Sequence, residues 1–391
     1  MEGLTQRLEK VEEQKPRIID FLRRMIQTPS LSGEEGPMAD LVASEMEALG
    51  YDVDKDEMGN VIGRIKGGEG PMILFDGHLD HIQPGDPGSW SHAPYSAEVV
   101  DDLVYGRGTV DMKGALAAMI YGCALGSVEG EVVLTCVVHE ETNEGVATKA
   151  IIKERGLQPA GCILGEPTDL KLSIGQRGRS VFRIITRGAT SHASMPELGT
   201  NAIYKMAPIL EGIKEANKSL PSDPFLGSGT MVVTTIDCRP GVGPIVPDYC
   251  EIQVDRRQVP QETLEGMLNE MRELAEGAEV ELLVDEIKCY TGRSLKVNQY
   301  FPGWITDPHH WLVMDGQKAL ALGLGDDPDI VGWRFSTDGV TTAGELGIPT
   351  IGFGPGDPTL AHQPDEYVSI TDILRAARGF CSLTSELTRS S

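Results

Sequence analysis

No apolar run in the chain reaches the ~18–20 residues needed to cross a bilayer, and the segment from Gly114 to Gly126 is too short. The opening stretch MEGLTQRLEKVEEQKPRIIDFLRRM is charged throughout, unlike a secretory signal, so a cytoplasmic address is expected. Positive charge is scarce. Lys and Arg number 34 against 59 Asp and Glu, a net charge of −25 that argues against nucleic acid or an anionic membrane as partner. The seven cysteines are odd in number and form no C-x-x-C, so the pattern indicates neither a disulfide framework nor a thiolate zinc site. There is no internal repeat and no low-complexity tract. Gly106-x-Gly108 lacks the further glycines and the lysine of a phosphate loop, so nothing supports a nucleotide.

What remains is a globular composition, 40% hydrophobic and 24% charged over 391 residues, comfortable for two domains. Apolar positions Leu4, Leu8, Val11, Ile18, Ile19, Leu22 and Ile26 form a helical stripe interrupted at Pro16. Beyond it, the strand-like runs VIGRIK (61–66), MILF (72–75), VVLTCVV (132–138) and CIL (162–164) alternate with helical runs, and PTIGFG (349–354) and a last helix end the series. This order predicts an α/β catalytic domain with a largely parallel sheet flanked by helices, formed by 1–177 and 291–391. The middle, 178–290, reads β-α-β-β-α-β, with VELLVDE as its last strand, and predicts an inserted ferredoxin-like domain.

Histidine is scarce, eight in all, and its placement is informative. His78 and Asp80 follow MILFDG, Glu140 and Glu141 follow VVLTCVVH, Glu166 follows CILG, and His362 follows IGFGPGDPTLA. Asp111 stands between a glycine-rich turn and a helix. Singly, each has a bland explanation: a solvated turn for the glutamates, a locally held imidazole for His78. Together they stand at strand exits, where sites of open α/β sheets form. Imidazole plus carboxylate suits zinc, and also cobalt or manganese. One carboxylate shared between two ions makes a two-metal site.

The motifs GHLD (77–80), YGRGTVDMKG (105–114), HEETNEG (139–145), GEPT (165–168), GATSHAS (188–194) and GFGPGDPTLAHQPDEY (352–367) resemble those of the M20 metallohydrolases, the carboxypeptidase G2, aminoacylase and desuccinylase group, over nearly the whole chain. The resemblance implies one metal on His78 and Glu166, a second on Glu141 and His362, and Asp111 bridging them, with zinc first in expectation. It implies Glu140 as general base, Asp80 orienting His78, and His192 stabilising the oxyanion from a partner subunit. Arg257 resembles the arginine that grips the substrate carboxylate, with Arg256 as the alternative. Gly354 and Gly356 resemble the loop approaching the substrate. It further implies a cis Asp111–Met112 peptide and a homodimer through the inserted lid domain.

The implied activity is hydrolysis of an amide or peptide bond in a small N-acyl amino acid or dipeptide with a free carboxylate. Two other readings stand beside it: an N-carbamoyl amino acid amidohydrolase, and a non-catalytic binding protein on the same fold. Gly243-Pro244 occupies the place where many relatives carry an asparagine near the substrate carboxylate. NQYFPGWITDPHHW (298–311) is similar to a subfamily linked to selenium metabolism. His81 is expected to be structural, and His309-His310 to lie in a loop.

Overall fold

A computed structural model describes residues 2–389. The opening stripe folds as two helices, Glu2–Glu13 and Lys15–Ile26, parted just before Pro16, which sits in a first turn where its missing N–H costs nothing. Ile18, Phe21, Leu22, Met25 and Ile26 form the buried face of the second.

The central sheet has Glu131–Val137, Met72–His78, Gly161–Leu164 and Thr350–Gly352 as parallel neighbours in that order. Antiparallel strands extend it on both sides: Asp52–Lys55 with Val61–Lys66 beyond Glu131–Val137, and Leu172–Gln176 beyond Thr350–Gly352. The parallel strands are apolar and almost wholly buried, as a sheet covered on both faces requires. Helix Gly114–Leu125 is apolar all round and buried from Gly114 to Cys123. It can approach helix Ile370–Leu387 closely because of Gly122, where a Cβ would lie 2.5 Å from the Ala377 carbonyl oxygen.

The second sheet is antiparallel, in the order Thr230–Arg239, Tyr249–Gln258, Gly178–Arg187, Glu279–Leu282. Helices Ala202–Ala216 and Leu264–Leu274 supply the rest of the β-α-β-β-α-β order. A separate core forms between helices and sheet, from residues such as Phe182, Ile184, Met206, Ile252, Val254 and Met271. The run VELLVDE is not one strand. Glu279–Leu282 pairs with Gly178–Arg187, and the chain then changes partner, so that Val284–Lys288 forms a hairpin with Ser294–Asn298. Ile287, Cys289 and Val297 of that segment pack into the larger core.

Candidate two-metal centre

The parallel register brings His78, Glu140, Glu141 and Glu166 to one level, and Asp111 and His362 reach it from the turn before helix Gly114–Leu125 and from the loop beyond Gly352. His78 aligns with Val137, Asp76 with Leu164, and Leu164 with Gly352. The residues just past those positions therefore share one rim of the sheet. His78 Nε2 lies 2.9 Å from Asp111 Oδ1 and 3.7 Å from Glu166 Oε1. His362 Nε2 lies 3.1 Å from Glu141 Oε2 and 3.2 Å from Asp111 Oδ2. Asp111 thus offers one carboxylate oxygen to each histidine. The Asp111–Met112 peptide is cis. His139 and His362 hold positive φ of 61° and 67°, conformations that cost non-glycine residues energy and persist where the surroundings enforce them.

Glu140 closes a second cluster with His78 and Glu166, all three buried. Without a counter-charge this density of acid is unfavourable. Burial, with Asp111 next, pushes the Glu141 carboxyl up to about 7. Burial, helped by the charge of Glu166, holds Glu140 well above the ordinary range, and burial, helped by the charge of Asp111, does the same for Glu166. Although burial opposes it, the Asp111 hydrogen bond and the charges of Glu140 and Glu166 keep His78 well above its usual value. The Asp111 and Glu141 hydrogen bonds bring His362 up to about 10. Glu141 Oε1 is buried with no hydrogen-bonding partner. Every one of these groups would release a proton to a cation. The donor set is imidazole and carboxylate, with ligand atoms of each cluster within 4.8 Å of one another. These residues fit divalent metal ions.

Asp80 holds the site in two ways. His78 Nδ1 lies 3.0 Å from its main-chain oxygen and 3.6 Å from its carboxylate. The carboxylate itself accepts from Ser32 Oγ at 2.6 Å and from the backbone N–H groups of Glu140 and Glu141, both at 3.2 Å. It ties the paired glutamates to the His78 strand as well as flanking the ring.

Three supporting residues escaped the sequence reading. Glu366 accepts from Val110 N–H at 2.8 Å and Asp111 N–H at 3.2 Å, and forms a buried 2.5 Å ion pair with Arg107. Arg107 also donates to the His362 carbonyl at 3.3 Å, so the pair joins the Asp111 turn to the His362 loop. Asp338 accepts from Gly145 N–H at 2.5 Å, fixing the end of the HEETNEG segment. It stands in Ser336-Thr337-Asp338-Gly339 just past strand Ile330–Trp333, the same strand-exit signal as the ligands.

A cavity of about 330 Å³ opens over the cluster, lined by Asp111, Glu140, Glu141, Glu166 and His362, and on its far side by Arg179, Arg257 and Ser336. Alternation along strand Tyr249–Gln258 decides between the two arginines: Arg256 is fully buried against Glu262, and Arg257 faces the cavity. Arg179, unforeseen, stands directly opposite Arg257 across the sheet. Asp255 lies between them, 2.8 Å from Arg257 Nε and 3.0 Å from Arg179 Nε.

His192 is not brought to this cavity within one chain. It is exposed, with Nδ1 2.7 Å from Ser194 Oγ. Gly354 and Gly356 are buried and do not line the cavity. At Gly354 a Cβ would meet the Glu166 carbonyl oxygen at 2.5 Å, so the glycine lets this loop seat against the Glu166 backbone. His81 is structural: Nε2 accepts from Ser30 N–H at 3.0 Å, Nδ1 lies 2.8 Å from the Ile82 oxygen, and burial, with Lys113 next, lowers its pKa to about 3. His310 caps helix Trp311–Leu324.

The model of peptidase family M20/M25/M40 matches residues 74–386. The uncharacterized protein YgeY of Escherichia coli K12 is 37% identical over 387 residues, 96% of each chain. The succinyl-diaminopimelate desuccinylase of Nitrosococcus oceani is 26% identical over 379 residues, 91% of this chain and 94% of that protein. Among solved structures, the M20 family metallo-carboxypeptidase Sso-CP2 of Sulfolobus solfataricus superposes with a TM-score of 0.77 at 17% identity, covering 95% of this chain and 99% of that one.

Proposed function

The chain belongs to peptidase family M20/M25/M40, and from that premise we propose that this metal-dependent hydrolase cleaves the amide bond of a small N-acyl amino acid or dipeptide bearing a free carboxylate. The observation that carries the reading is the bridging posture of Asp111, Oδ1 toward His78 and Oδ2 toward His362. His78 and Glu166 would hold one divalent ion, Glu141 and His362 the other, with zinc first in expectation. When bound, such ions polarise the scissile carbonyl and lower the pKa of water so that it is deprotonated near neutrality.

The chain's own groups do the rest. Glu140, buried beside His78 and Glu166, takes the proton of the attacking water and delivers it to the leaving nitrogen. Its backbone is held by Asp80, so the base stays aimed. Arg257 receives the substrate carboxylate through a planar two-pronged contact. Arg179 is held by Glu144 at 3.3 Å as well as by Asp255, which Arg257 shares, so of the facing pair Arg257 is the one left to meet an anionic guest.

We further infer a two-fold dimer in which His192 donates to the oxyanion of the partner's site. Strand Thr230–Arg239 is an edge, pairing only with Tyr249–Gln258 among the described residues, and it exposes Val232 and Ile236 to more than half. Pairing with its twin would cover them. Among the described residues no helix is long and apolar enough to cross a membrane; a cytoplasmic enzyme acting on small molecules is the reading we adopt.

The test is a panel of N-acyl amino acids, dipeptides and N-carbamoyl amino acids, each with its carboxylate free or amidated, assayed with zinc, cobalt and manganese. Acyl or dipeptide substrates with a free carboxylate should be cleaved. Arg257→Ala should raise KM by roughly 10–100-fold, the worth of a charge-assisted contact of ~1.5–3 kcal/mol. Preference for N-carbamoyl compounds, or equal cleavage of amidated substrates, would overturn the substrate assignment.

A further inference from the structure

Cys238 and Cys250 face each other across strands Thr230–Arg239 and Tyr249–Gln258. Their Sγ atoms are 3.1 Å apart. Directly opposed residues of an antiparallel pair hold their Cα atoms ~4.5–5.5 Å apart, inside the ~4.4–6.8 Å span of disulfides. The backbone is therefore already placed, and only side-chain adjustment separates the two thiols from a bond. The remaining five cysteines are buried in the larger core, where burial holds each thiol above its ordinary range. Cys238 is the one cysteine of the seven that is not buried.

We propose that Cys238 and Cys250 are a redox-modification site, closing to a reversible disulfide that clamps the base of the loop 240–248 beside His192. The pair lies one residue inside the last cross-strand pairing, Arg239 with Tyr249. The loop it closes is the one on which the His192 segment rests. Val246 N–H donates to the Ser191 carbonyl and Ala193 N–H to the Pro244 carbonyl, both at 2.8 Å, and Ile245 forms a bridge with His192. Most of that loop is exposed, so its order depends on how firmly the strand ends are held.

The oxidant is a low-molecular-weight disulfide such as oxidised glutathione. Cys238, half-buried where Cys250 is fully buried, is the entry point: its thiolate attacks one glutathione sulfur, forming a mixed disulfide and expelling one glutathione thiolate. Cys250 then attacks Cys238 Sγ, the protein disulfide forms, and the second glutathione leaves as thiolate. The two cysteine protons end on the two glutathione thiols, and two electrons pass from the cysteines to the oxidant. Burial, and then its bond with Cys238, hold the Cys250 thiol up to about 12, which disfavours it as the entry thiol; its place 3.1 Å from Cys238 Sγ makes it the group that meets the mixed disulfide.

The test equilibrates the reduced, full-length protein with oxidised glutathione and reads mass. Two of the seven thiols should disappear. Trypsin does not cut at Arg239 because Pro240 follows, so both cysteines stay in the peptide 219–256, which should be lighter by two hydrogens and return to its first mass with dithiothreitol. Cys250→Ser should stop at a single glutathione on Cys238, and Cys238→Ser should leave Cys250 unmodified. Amide hydrogen exchange over 240–248 should slow in the oxidised form. A parent protein that stops at the mixed disulfide, keeps both thiols, or pairs other cysteines would overturn the site; unchanged exchange after closure would overturn the clamp. These readouts need no substrate, so they fail or succeed independently of the hydrolase assignment.

Discussion

The Arg107–Glu366 pair gives the sharpest test of how this site is held. Glu366 Oε1 accepts from Val110 and Asp111 N–H, and Oε2 takes the Arg107 guanidinium, with both side chains almost fully buried. In Glu366→Gln the amide oxygen can keep the two backbone bonds, but its NH2 then faces a buried guanidinium, donor against donor. Breaking a buried pair by removing one partner costs ~3–5 kcal/mol, because the other charge stays uncompensated. Against a net stability of ~5–15 kcal/mol the variant should still fold, at a visibly lower urea midpoint.

The second variant makes the reasoning refutable. Arg107→Met added to Glu366→Gln removes the stranded charge and leaves the amide oxygen on Val110 and Asp111. The double variant should therefore be more stable than the single one, regaining most of the loss. Metal binding should not recover with it, since Arg107 no longer reaches the His362 carbonyl; loss of such outer support costs roughly 10–100-fold in metal affinity. Urea titrations of metal-free protein and competitive chelator titrations measure the two quantities. If the single variant matched the parent within ~0.5 kcal/mol, or the double were the weaker of the two, the pair would not be holding the Asp111 turn and the His362 loop together.

That pair also shows where a single sequence stops informing. Its members are 259 positions apart, and nothing local in YGRGT or PDEY says they meet. The ligands were legible because parallel strands of a covered sheet are apolar runs with sharp ends, and an acid or imidazole just past such an end is conspicuous. Asp338 carries that same signal more faintly, because strand Ile330–Trp333 is short and only partly buried. Arg179 was hidden for another reason. The strand GRSVFRIITR carries arginines at 179, 183 and 187, all on one face by alternation. Only the pairing register, which sets Arg179 opposite Arg257, picks out the one that faces the site.

The two-sheet architecture followed from rhythm, but the sheet change at Leu283 did not. VELLVDE carries no glycine, proline or other turn residue at that point, and a continuous strand-like run does not report which neighbour its backbone bonds. For Gly354, a substrate-loop residue by resemblance, the structure supplies a reason to be glycine that no motif carries, the close seat against Glu166.

Three further outcomes are expected. Glu140→Gln should keep both metals and lose roughly 10²–10⁴-fold in turnover, the usual worth of a positioned base, whereas Glu141→Gln should weaken one metal; elemental analysis beside kinetics separates them, and near-normal turnover in Glu140→Gln would sink the assignment. Mixing inactive Glu140→Gln with inactive His192→Ala subunits should restore partial activity if His192 acts across a dimer, and a fully active monomer by light scattering would exclude that role. The last concerns acid stability. His81 is buried and neutral, with Ser30 N–H donating to Nε2, and its pKa is lowered from 6.5 to about 3. The unfolded chain binds a proton below 6.5 that the native state refuses, so stability is full above that pH and falls as pH drops toward 3. At ~1.4 kcal/mol per pKa unit, this one group removes about 2 kcal/mol by pH 5. In His81→Asn the side chain does not titrate, so the variant begins less stable, having lost a well-packed ring, but declines less steeply between pH 7 and 5. The difference between the two urea-derived slopes isolates His81 from the metal-site histidines, which both proteins share. Parallel declines would show that the native imidazole takes up its proton as readily as the unfolded one, and would refute the buried neutral form.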